Sequence, residues 1–577
     1  MTLQNTSPRA AVRWNWAAID AGLIAILISV SLFNFVRRGP TAWEWPAIDM
    51  AVLYERAIAP DFLTDDYFTN SVSASNPRHV FGYSVIALTR LLGADWFQVY
   101  FGLRTLLTTL TPALWFLVVL AAVNPTLQSD RHRWIARLFA VLAIGLVMNR
   151  KFATFFTIAW WPPLQIYAGA HPTALALSLL AIVLDLRLPG PWKWLSLLFW
   201  SAATLIHPAI GLLMLIFSAL ATLLNPGWSG RQLRGLLAVL PSALLISRLY
   251  QPENPLSTAE FIDVYVRSCH PFHYELAHFA SSTKFPWWVN SLLICALLTT
   301  GGLAAQRLQR VEISRLAFLF LTAYLGCIVL QWVATDVWPS KLLVQIGPSR
   351  FSFAGYFFLT IIGAMLAAAV WPVSWDLPQR VQQIEARIHG WFHPAWVALS
   401  AAVVTILVAA CCCPDWRQTA RQPHAAFYDW AARHTRPDDV FHLPYMHPLH
   451  QSLPVVGQRA VFVSAGFPFR EDDFREHQLR MSAGYGPFTR QAPNAGKPLH
   501  QLRNQRFRQF TSVDILALAE IRRLDYIVLE TGQSSELHGI SACYEDDSIV
   551  VFEVWKLREF QGLGAVEVPS PPAVTPE

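Results

Sequence analysis

The run AAIDAGLIAILISVSLFNFV, Ala17 to Val36, is the feature that most constrains what this chain can fold into. Its only charged residue, Asp20, lies near the start, and a helix needs about 20 mostly apolar residues to cross a bilayer. The run continues into RRGP rather than a small-residue cleavage site, so we expect a retained span and not a signal peptide. Because 54% of the 577 residues are hydrophobic and only 14% are charged, many further spans are expected.

Apolar runs separated by charged breaks predict about eleven spans. They fall near residues 17–36, 97–123, 134–149, 172–187, 192–206, 208–224, 232–247, 287–304, 315–334, 351–371 and 394–413. With the N-terminus in the cytoplasm, the inner loops carry Arg131, Arg133, Arg137, Arg231, Arg234, Arg307, Arg310, Arg315, Arg380 and Arg387. This distribution follows the positive-inside preference, although the outer side also carries arginines.

In that orientation the long loops, and everything after about residue 414, lie outside. Past that point FYDWAARHTRPDD predicts a helix, and VFHLP and RAVFVSAGF predict strands. SVDILALAEIRRL has helical spacing and runs into DYIVLE, and SACYEDDSIVVFEVW predicts a hairpin. The sequence therefore predicts a polytopic α-helical membrane protein with a small C-terminal α/β soluble domain. The predicted domains are a transmembrane domain over 1–413 with outer loops 37–96 and 248–286, an extracytoplasmic domain over 414–563, and a disordered tail over 564–577.

The first outer loop contains a candidate general base, Asp49. It lies at the polar edge of a short helix predicted from an apolar stripe over residues 50–58. One explanation is an ion pair or solvated edge with Arg56, which shares its face. The other is a carboxylate that takes a proton from an acceptor hydroxyl at the membrane surface.

Three further carboxylates lie close together in PDFLTDD. Asp61 follows Pro60 and is explained by turn and capping chemistry. Asp65 and Asp66 are adjacent, and they either serve the same structural purpose, bind a divalent cation, or position a sugar or amine. No cofactor is fixed by these residues, and a divalent cation is the candidate.

Two His-Pro pairs occur where outer loops meet spans, at His171 and His207. Proline suits the first turn of a helix, so each pair is expected to start a span. His207 also falls between two short apolar runs, in a tight outward hairpin. Ionisable groups within membrane segments are costly, which makes both histidines candidates for function.

The loop FIDVYVRSCHPFHYELAHF holds the densest set of polar residues, namely Arg267, His270, His273, Glu275 and His278. Pro271 interrupts the helical spacing of the histidines, so no zinc site is expected. Arg267 with His270 and His273 could instead bind a phosphate or pyrophosphate, with Arg350 as a second outward cation. Anchoring to lipid headgroups is the competing explanation.

Taken together, this arrangement resembles the GT-C superfamily of membrane glycosyltransferases, which take sugars from polyprenyl-phosphate carriers. The resemblance rests on the acidic first outer loop with Asp49, Asp65 and Asp66, the Arg- and His-rich later loop, and the outer C-terminal domain. FYDWAARHTRPDDVFHLP is similar to the helix, Thr-x-Pro turn and strand that open the soluble domain in many bacterial members. No Asp-x-Asp and no acidic dyad followed by Arg-Tyr is present.

The resemblance implies transfer of a sugar from a polyprenyl-phosphate donor to an acceptor, on the extracytoplasmic side of a bacterial inner membrane. Asp49 or Asp66 would be the base, and Arg267 and Arg350 would hold the carrier phosphate. Membrane lipid is an expected partner, whereas the scattered net charge of +6 predicts no nucleic acid partner. The alternative is a non-catalytic membrane protein, either a transporter of a lipid-linked precursor or a scaffold for a cell-envelope complex.

Overall fold

The structure is a computed structural model that describes most of the chain. The described residues are 16–38, 45–127, 129–148, 169–187, 193–222, 228–276, 287–370, 424–445, 447–464, 467–486, 499–533 and 539–562, with isolated positions at 537 and between 404 and 421. The helices over the first 370 residues are α1 (Trp16–Arg38), α2 (Trp45–Ile58), α3 (Tyr67–Ser73), α4 (His79–Leu92), α5 (Trp96–Val123), α6 (Asp130–Val147), α7 (Ala170–Arg187), α8 (Leu195–Ile206), α9 (Pro208–Thr222), α10 (Trp228–Leu249), α11 (Thr258–Phe261), α12 (Pro271–Tyr274), α13 (Trp287–Arg307), α14 (Val311–Trp332), α15 (Lys341–Ile346) and α16 (Ala354–Val370).

Ten of the eleven predicted spans coincide with α1, α5 to α10, α13, α14 and α16, so these predictions are confirmed as helices. The eleventh, 394–413, lies almost wholly outside the described residues. Five stretches of the described chain are long and apolar enough to cross a membrane, namely Trp16–Asn34, Trp96–Val123, Trp287–Arg307, Val311–Val337 and Lys341–Val370. The protein is a polytopic helical membrane protein.

The chain divides into two compact units. The membrane unit comprises Met1–Thr41, Gln98–Leu249 and Phe272–Cys413. The sheet unit comprises Ala42–Phe97, Tyr250–Pro271 and Pro414–Glu577. Parts of two loops that the sequence places between spans thus fold together with the C-terminal part of the chain.

A buried and a partly buried ion pair join helices within the membrane unit. Arg137 on α6 is 1% exposed, and its Nε donates to Asp20 Oδ1 on α1 at 2.7 Å. Its guanidinium also lies 4.3 Å from the ring centroid of Trp16. Arg234 on α10 pairs with Asp185 on α7, with 2.5 Å between Nη2 and Oδ1. Two of the arginines counted toward the positive-inside prediction are therefore neutralised by carboxylates from other helices.

The sheet unit contains a five-stranded sheet in the order β2-β1-β3-β5-β4. Its strands are β1 (Val440–His442), β2 (Ala460–Val461), β3 (Tyr526–Glu530), β4 (Tyr544–Glu545) and β5 (Ile549–Glu553). β1 runs parallel to β2 and β3, whereas β5 runs antiparallel to β3 and β4. The predicted strands and hairpin are confirmed, and Asp546 makes the hairpin turn by accepting from the backbone N–H groups of Ser548 and Ile549 at 2.8 and 2.9 Å.

Helices cover both faces of this sheet. They are α17 (Ala425–His434), α18 (Pro448–Ser452), α19 (Phe474–Tyr485), α20 (Leu499–Phe507), α21 (Ser512–Ile521) and α22 (Val554–Phe560). Ile527 of β3 faces one apolar cluster and Val528 faces the other, as the two-residue period of a strand requires. Both clusters are buried, so the sheet is a core layer and the predicted α/β character of this region is confirmed.

Candidate functional site

Arg350 lies in a buried polar network of the membrane unit. It belongs to the 3-10 turn Pro348–Phe353 that precedes α16, and it is 8% exposed. Its Nη2 donates to the hydroxyl of Tyr274, and its guanidinium carbon lies 4.9 Å from the centroid of that ring. Gly347, at φ +65°, allows this approach, since a Cβ there would lie 2.9 Å from Arg350 Cδ. The turn therefore fixes the guanidinium on the tyrosine.

Gln331 holds the same network together from the end of α14. This side chain is fully buried, its Nε2 donates to the carbonyl of Tyr274 at 3.2 Å, and its Oε1 accepts from Ser349 Oγ at 3.3 Å. Glu275, next to Tyr274, is 1% exposed. Three separate chain segments thus meet in one buried polar cluster, in which each group fixes the position of the next.

The two His-Pro pairs start helices, as predicted. His171 lies in the first turn of α7, and His207 precedes α9 and accepts from the backbone N–H of Ile210 at 3.4 Å through Nδ1. The two rings also meet edge to face, with 5.7 Å between their centroids. His207 therefore has a structural role in starting α9, and the fold brings the two histidines into contact.

We infer that the histidine pair and Arg350 lie at the same end of the membrane unit. In the topology predicted from sequence, in which each long helix crosses the bundle in turn, the starts of α5, α7, α9 and α16 lie at one end. Phe217 of α9 packs on Phe357 of α16, with 5.1 Å between ring centroids. Phe217 follows His207 by ten positions, and Phe357 follows Arg350 by seven. At 1.5 Å per residue, His207 and Arg350 therefore differ in height along the helix axes by only about 5 Å.

Asp66 is built into the sheet unit as a buried cap. It is 0% exposed, and it caps α3 by accepting from Thr69 N at 2.7 Å through Oδ2. Its other oxygen accepts from Val461 N in β2 at 3.0 Å. Burial raises the pKa of this carboxyl above its ordinary value, and the two backbone N–H groups oppose that rise. Both oxygens are engaged by backbone, which gives Asp66 a structural task.

The neighbouring acids have different surroundings. Asp61 and Asp65 are exposed in the turn that precedes α3, and the turn predicted for Asp61 is confirmed. Arg56 holds this turn by donating to Leu63 O at 2.9 Å and to Asn70 Oδ1 at 2.8 Å. Asp49 lies in α2, whose predicted helical state is confirmed, and its side chain is outside the described part of the structure.

The Arg- and His-rich loop is divided between the two units. Arg267 and His270 belong to the sheet unit, and His273 belongs to the membrane unit. Arg267 pairs with Asp263 one turn away, with 2.6 Å from Nη1 to Oδ1, in the π-helical segment Ile262–Cys269. His270 packs on Phe467 at 4.1 Å between ring centroids. Each unit thus holds its own part of the predicted phosphate-binding set. Within the described residues, no group of three or more His, Cys, Asp or Glu side chains is arranged to hold a metal ion.

Two solved structures of ArnT from Cupriavidus metallidurans are similar to this chain. The apo structure matches at 12% identity with a TM-score of 0.33, and the structure bound to undecaprenyl phosphate matches at 13% with a TM-score of 0.38. Each match covers 93% of this chain and 98% of the other. No protein-family model and no curated protein matches. Values this low assign no chemistry to this chain.

Sequence reasoning missed Arg104, which is 4% exposed on α5. It precedes Trp115 by eleven residues, and Trp115 packs on Phe357 at 4.5 Å, so we place Arg104 at the Arg350 end of the bundle. The sequence did contain a signal for Arg104, because an arginine inside an apolar run is a candidate for function. Gln331 and Tyr274 gave no such signal, because an isolated amide or phenol at a span end is common.

Proposed function

We propose that this chain is a glycosyltransferase of the GT-C class, which moves a sugar from a polyprenyl-phosphate carrier to an acceptor on the extracytoplasmic side of a bacterial inner membrane. The observation that carries the proposal is the buried network around Arg350 in an apolar helical bundle. A buried arginine in such surroundings is costly and is a candidate for function, and a guanidinium is suited to bind an anionic group. A polyprenyl phosphate has a charged headgroup on an apolar chain. The headgroup fits the cation, and the chain fits the apolar helices beside it.

The network gives Arg350 the properties of a phosphate-binding group. The ring and hydroxyl of Tyr274 fix the guanidinium, and Gln331 fixes Tyr274. A fixed planar fork loses little entropy when it binds two phosphate oxygens. Arg104, His171 and His207 lie at the same end by the helix directions, and we assign them to the same anionic group together with His273. The isoprenoid tail would lie along the apolar helices.

The transfer step requires a base for the acceptor. The acceptor oxygen attacks the anomeric carbon, its proton passes to a carboxylate, and the bond from that carbon to the carrier phosphate oxygen breaks. The phosphate leaves with an added negative charge, which Arg350 and Arg104 stabilise. Asp49 and exposed Asp65 are the proposed bases, because both oxygens of Asp66 accept from backbone.

Sugar transfer in proteoliposomes that contain the full chain and a polyprenyl-phosphate sugar tests this proposal. We expect Arg350→Gln, and either Asp49→Asn or Asp65→Asn, to lower the turnover at least about hundredfold. Matched controls are Arg315→Gln, an exposed arginine at the start of α14, and Asp61→Asn, an exposed carboxylate of the same turn. Wild-type turnover in Arg350→Gln would remove the phosphate site, and wild-type turnover in both Asp variants would remove the base.

A further inference from the structure

Three histidines are buried in the sheet unit and take no part in the proposed transfer. His442 of β1 is 0% exposed, His450 of α18 is 1% exposed, and His477 of α19 is 3% exposed. Among the described residues, the Nδ1 atom of each has no hydrogen-bond partner. If such a buried nitrogen took up a proton, the new N–H group would have no acceptor. The neutral ring is therefore strongly favoured.

The rings of His442 and His450 lie around Tyr485. His442 packs on Tyr485 at 5.0 Å between centroids, and its Nε2 donates to Gly484 O at 3.2 Å. His450 donates through Nε2 to Val463 O. With Nε2 as the donor in each, Nδ1 is the nitrogen that acid would protonate. Each ring is enclosed by aromatic side chains and backbone, and no carboxylate contacts it in the described part of the unit.

His477 lies next to cations. Its ring stacks on Tyr67 at 6.5 Å between centroids and meets Phe467 at 4.9 Å. Arg480 and Arg503 oppose a positive charge on this ring, and so does His450. The titratable or charged groups that face the three rings or their direct partners include Tyr67 from α3, Cys269 from the π-helical segment, Tyr445 and His447 from the segment between β1 and α18, Asp473 before α19, Glu476, Arg480 and Tyr485 from α19, and Arg503 from α20.

A segment of the first loop is fastened to Asp473, the residue that precedes α19, beside these rings. We call residues 66–73 the strap. The hydroxyl of Tyr67 donates to Asp473 O at 2.5 Å, and Ser71 Oγ donates to Asp473 Oδ2 at 2.7 Å. The Tyr67 ring lies between His477 and the guanidinium of Arg480, which is 4.9 Å from its centroid. The strap therefore contacts the helix where a charge on His477 would meet Arg480.

We propose that His442, His450 and His477 form an acid-sensitive latch, which holds the strap against α19 while the rings are neutral and releases it when they take up protons. Three new positive charges would add to Arg480 and Arg503 in a buried space. Repulsion and desolvation both oppose that state, and opening the strap removes Tyr67 from the ring of His477 and lets water reach that ring. The latch concerns the sheet unit alone and does not depend on the proposed transfer.

The direction of the pH effect follows from the histidines. Burial lowers the pKa of His442 and His477 to about 3 and that of His450 to about 4, from an ordinary 6.5. The open state takes up protons below pH 6.5 and the closed state does not, so closure is fully stable above pH 6.5 and weakens as the pH falls toward 4. Burial raises the pKa of Asp66 and Asp473, so their protonation favours the closed state and opposes the histidines.

Amide hydrogen exchange on the full chain in nanodiscs, at pH 7.5, 6.5, 5.5 and 4.5, tests the latch. Protection factors correct for the intrinsic pH dependence of exchange. We expect those of residues 67–73 to fall at least about tenfold per pH unit below pH 6, as one proton or more is taken up on opening. In the triple variant His442→Gln, His450→Gln and His477→Gln this fall should disappear.

His434→Gln is the matched control, because His434 is an exposed histidine on α17 of the same unit. This variant should follow the wild type at every pH. If the triple variant is unprotected at pH 7.5, His477→Gln alone serves as the test and should make the fall shallower. Constant wild-type protection down to pH 4.5, or an unchanged fall in the folded variant, would overturn the proposal.

Discussion

Asp65 and Asp66 are neighbours in the chain with opposite surroundings. The first is exposed in a turn, and the second is fully buried with both oxygens bound to backbone N–H groups. At the residue scale, this difference separates a candidate for chemistry from a structural cap. The motif PDFLTDD alone left both roles open, because the partner Val461 is 395 positions away in the chain.

Asp66→Asn should lower the free energy of unfolding by about 1–3 kcal/mol, because the amide places an NH₂ group against one of the two backbone donors. Thermal unfolding of the purified full chain in detergent measures this, with Asp65→Asn as the matched control that should unfold like the wild type. Equal unfolding temperatures for the two variants would contradict the capping role.

At the element scale, the buried pair of Arg137 and Asp20 ties α6 to α1. Asp20→Asn should lower the free energy of unfolding by about 3–5 kcal/mol, since it leaves a buried guanidinium without its carboxylate. The control is Asp130→Asn, which breaks an exposed pair with Arg133 on the same helix and should cost less than about 1 kcal/mol. Denaturant unfolding in detergent measures the free energy of unfolding of the two variants. Similar losses in both would mean that burial does not set the strength of these ion pairs.

The elements themselves were largely predictable from sequence. Apolar runs and turn residues are local signals, which is why ten predicted spans coincide with helices and the hairpin turns at Asp546. Contacts between distant segments were not predictable, because no local pattern marks Gln331 as a partner of Tyr274. His171 and His207 were each predicted to start a helix, and only the packing of α7 beside α9 brings them together.

At the scale of the whole molecule, each unit collects its polar groups from distant parts of the chain. The membrane unit brings α12, the end of α14 and the start of α16 to Arg350. The sheet unit takes segments before α5 and after α10 and packs them with the C-terminal helices and strands. A substitution at Arg350 should therefore leave the sheet unit folded and act on binding of the proposed carrier.

Binding of a polyprenyl phosphate to the full chain, measured by native mass spectrometry from nanodiscs, tests the central claim most directly. We predict that the wild type and Arg315→Gln bind equally, and that Arg350→Gln binds at least about tenfold more weakly because it loses charge-assisted hydrogen bonds to the phosphate. Equal binding by Arg350→Gln and the wild type, or no binding by the wild type, would contradict the assignment of this site to the carrier.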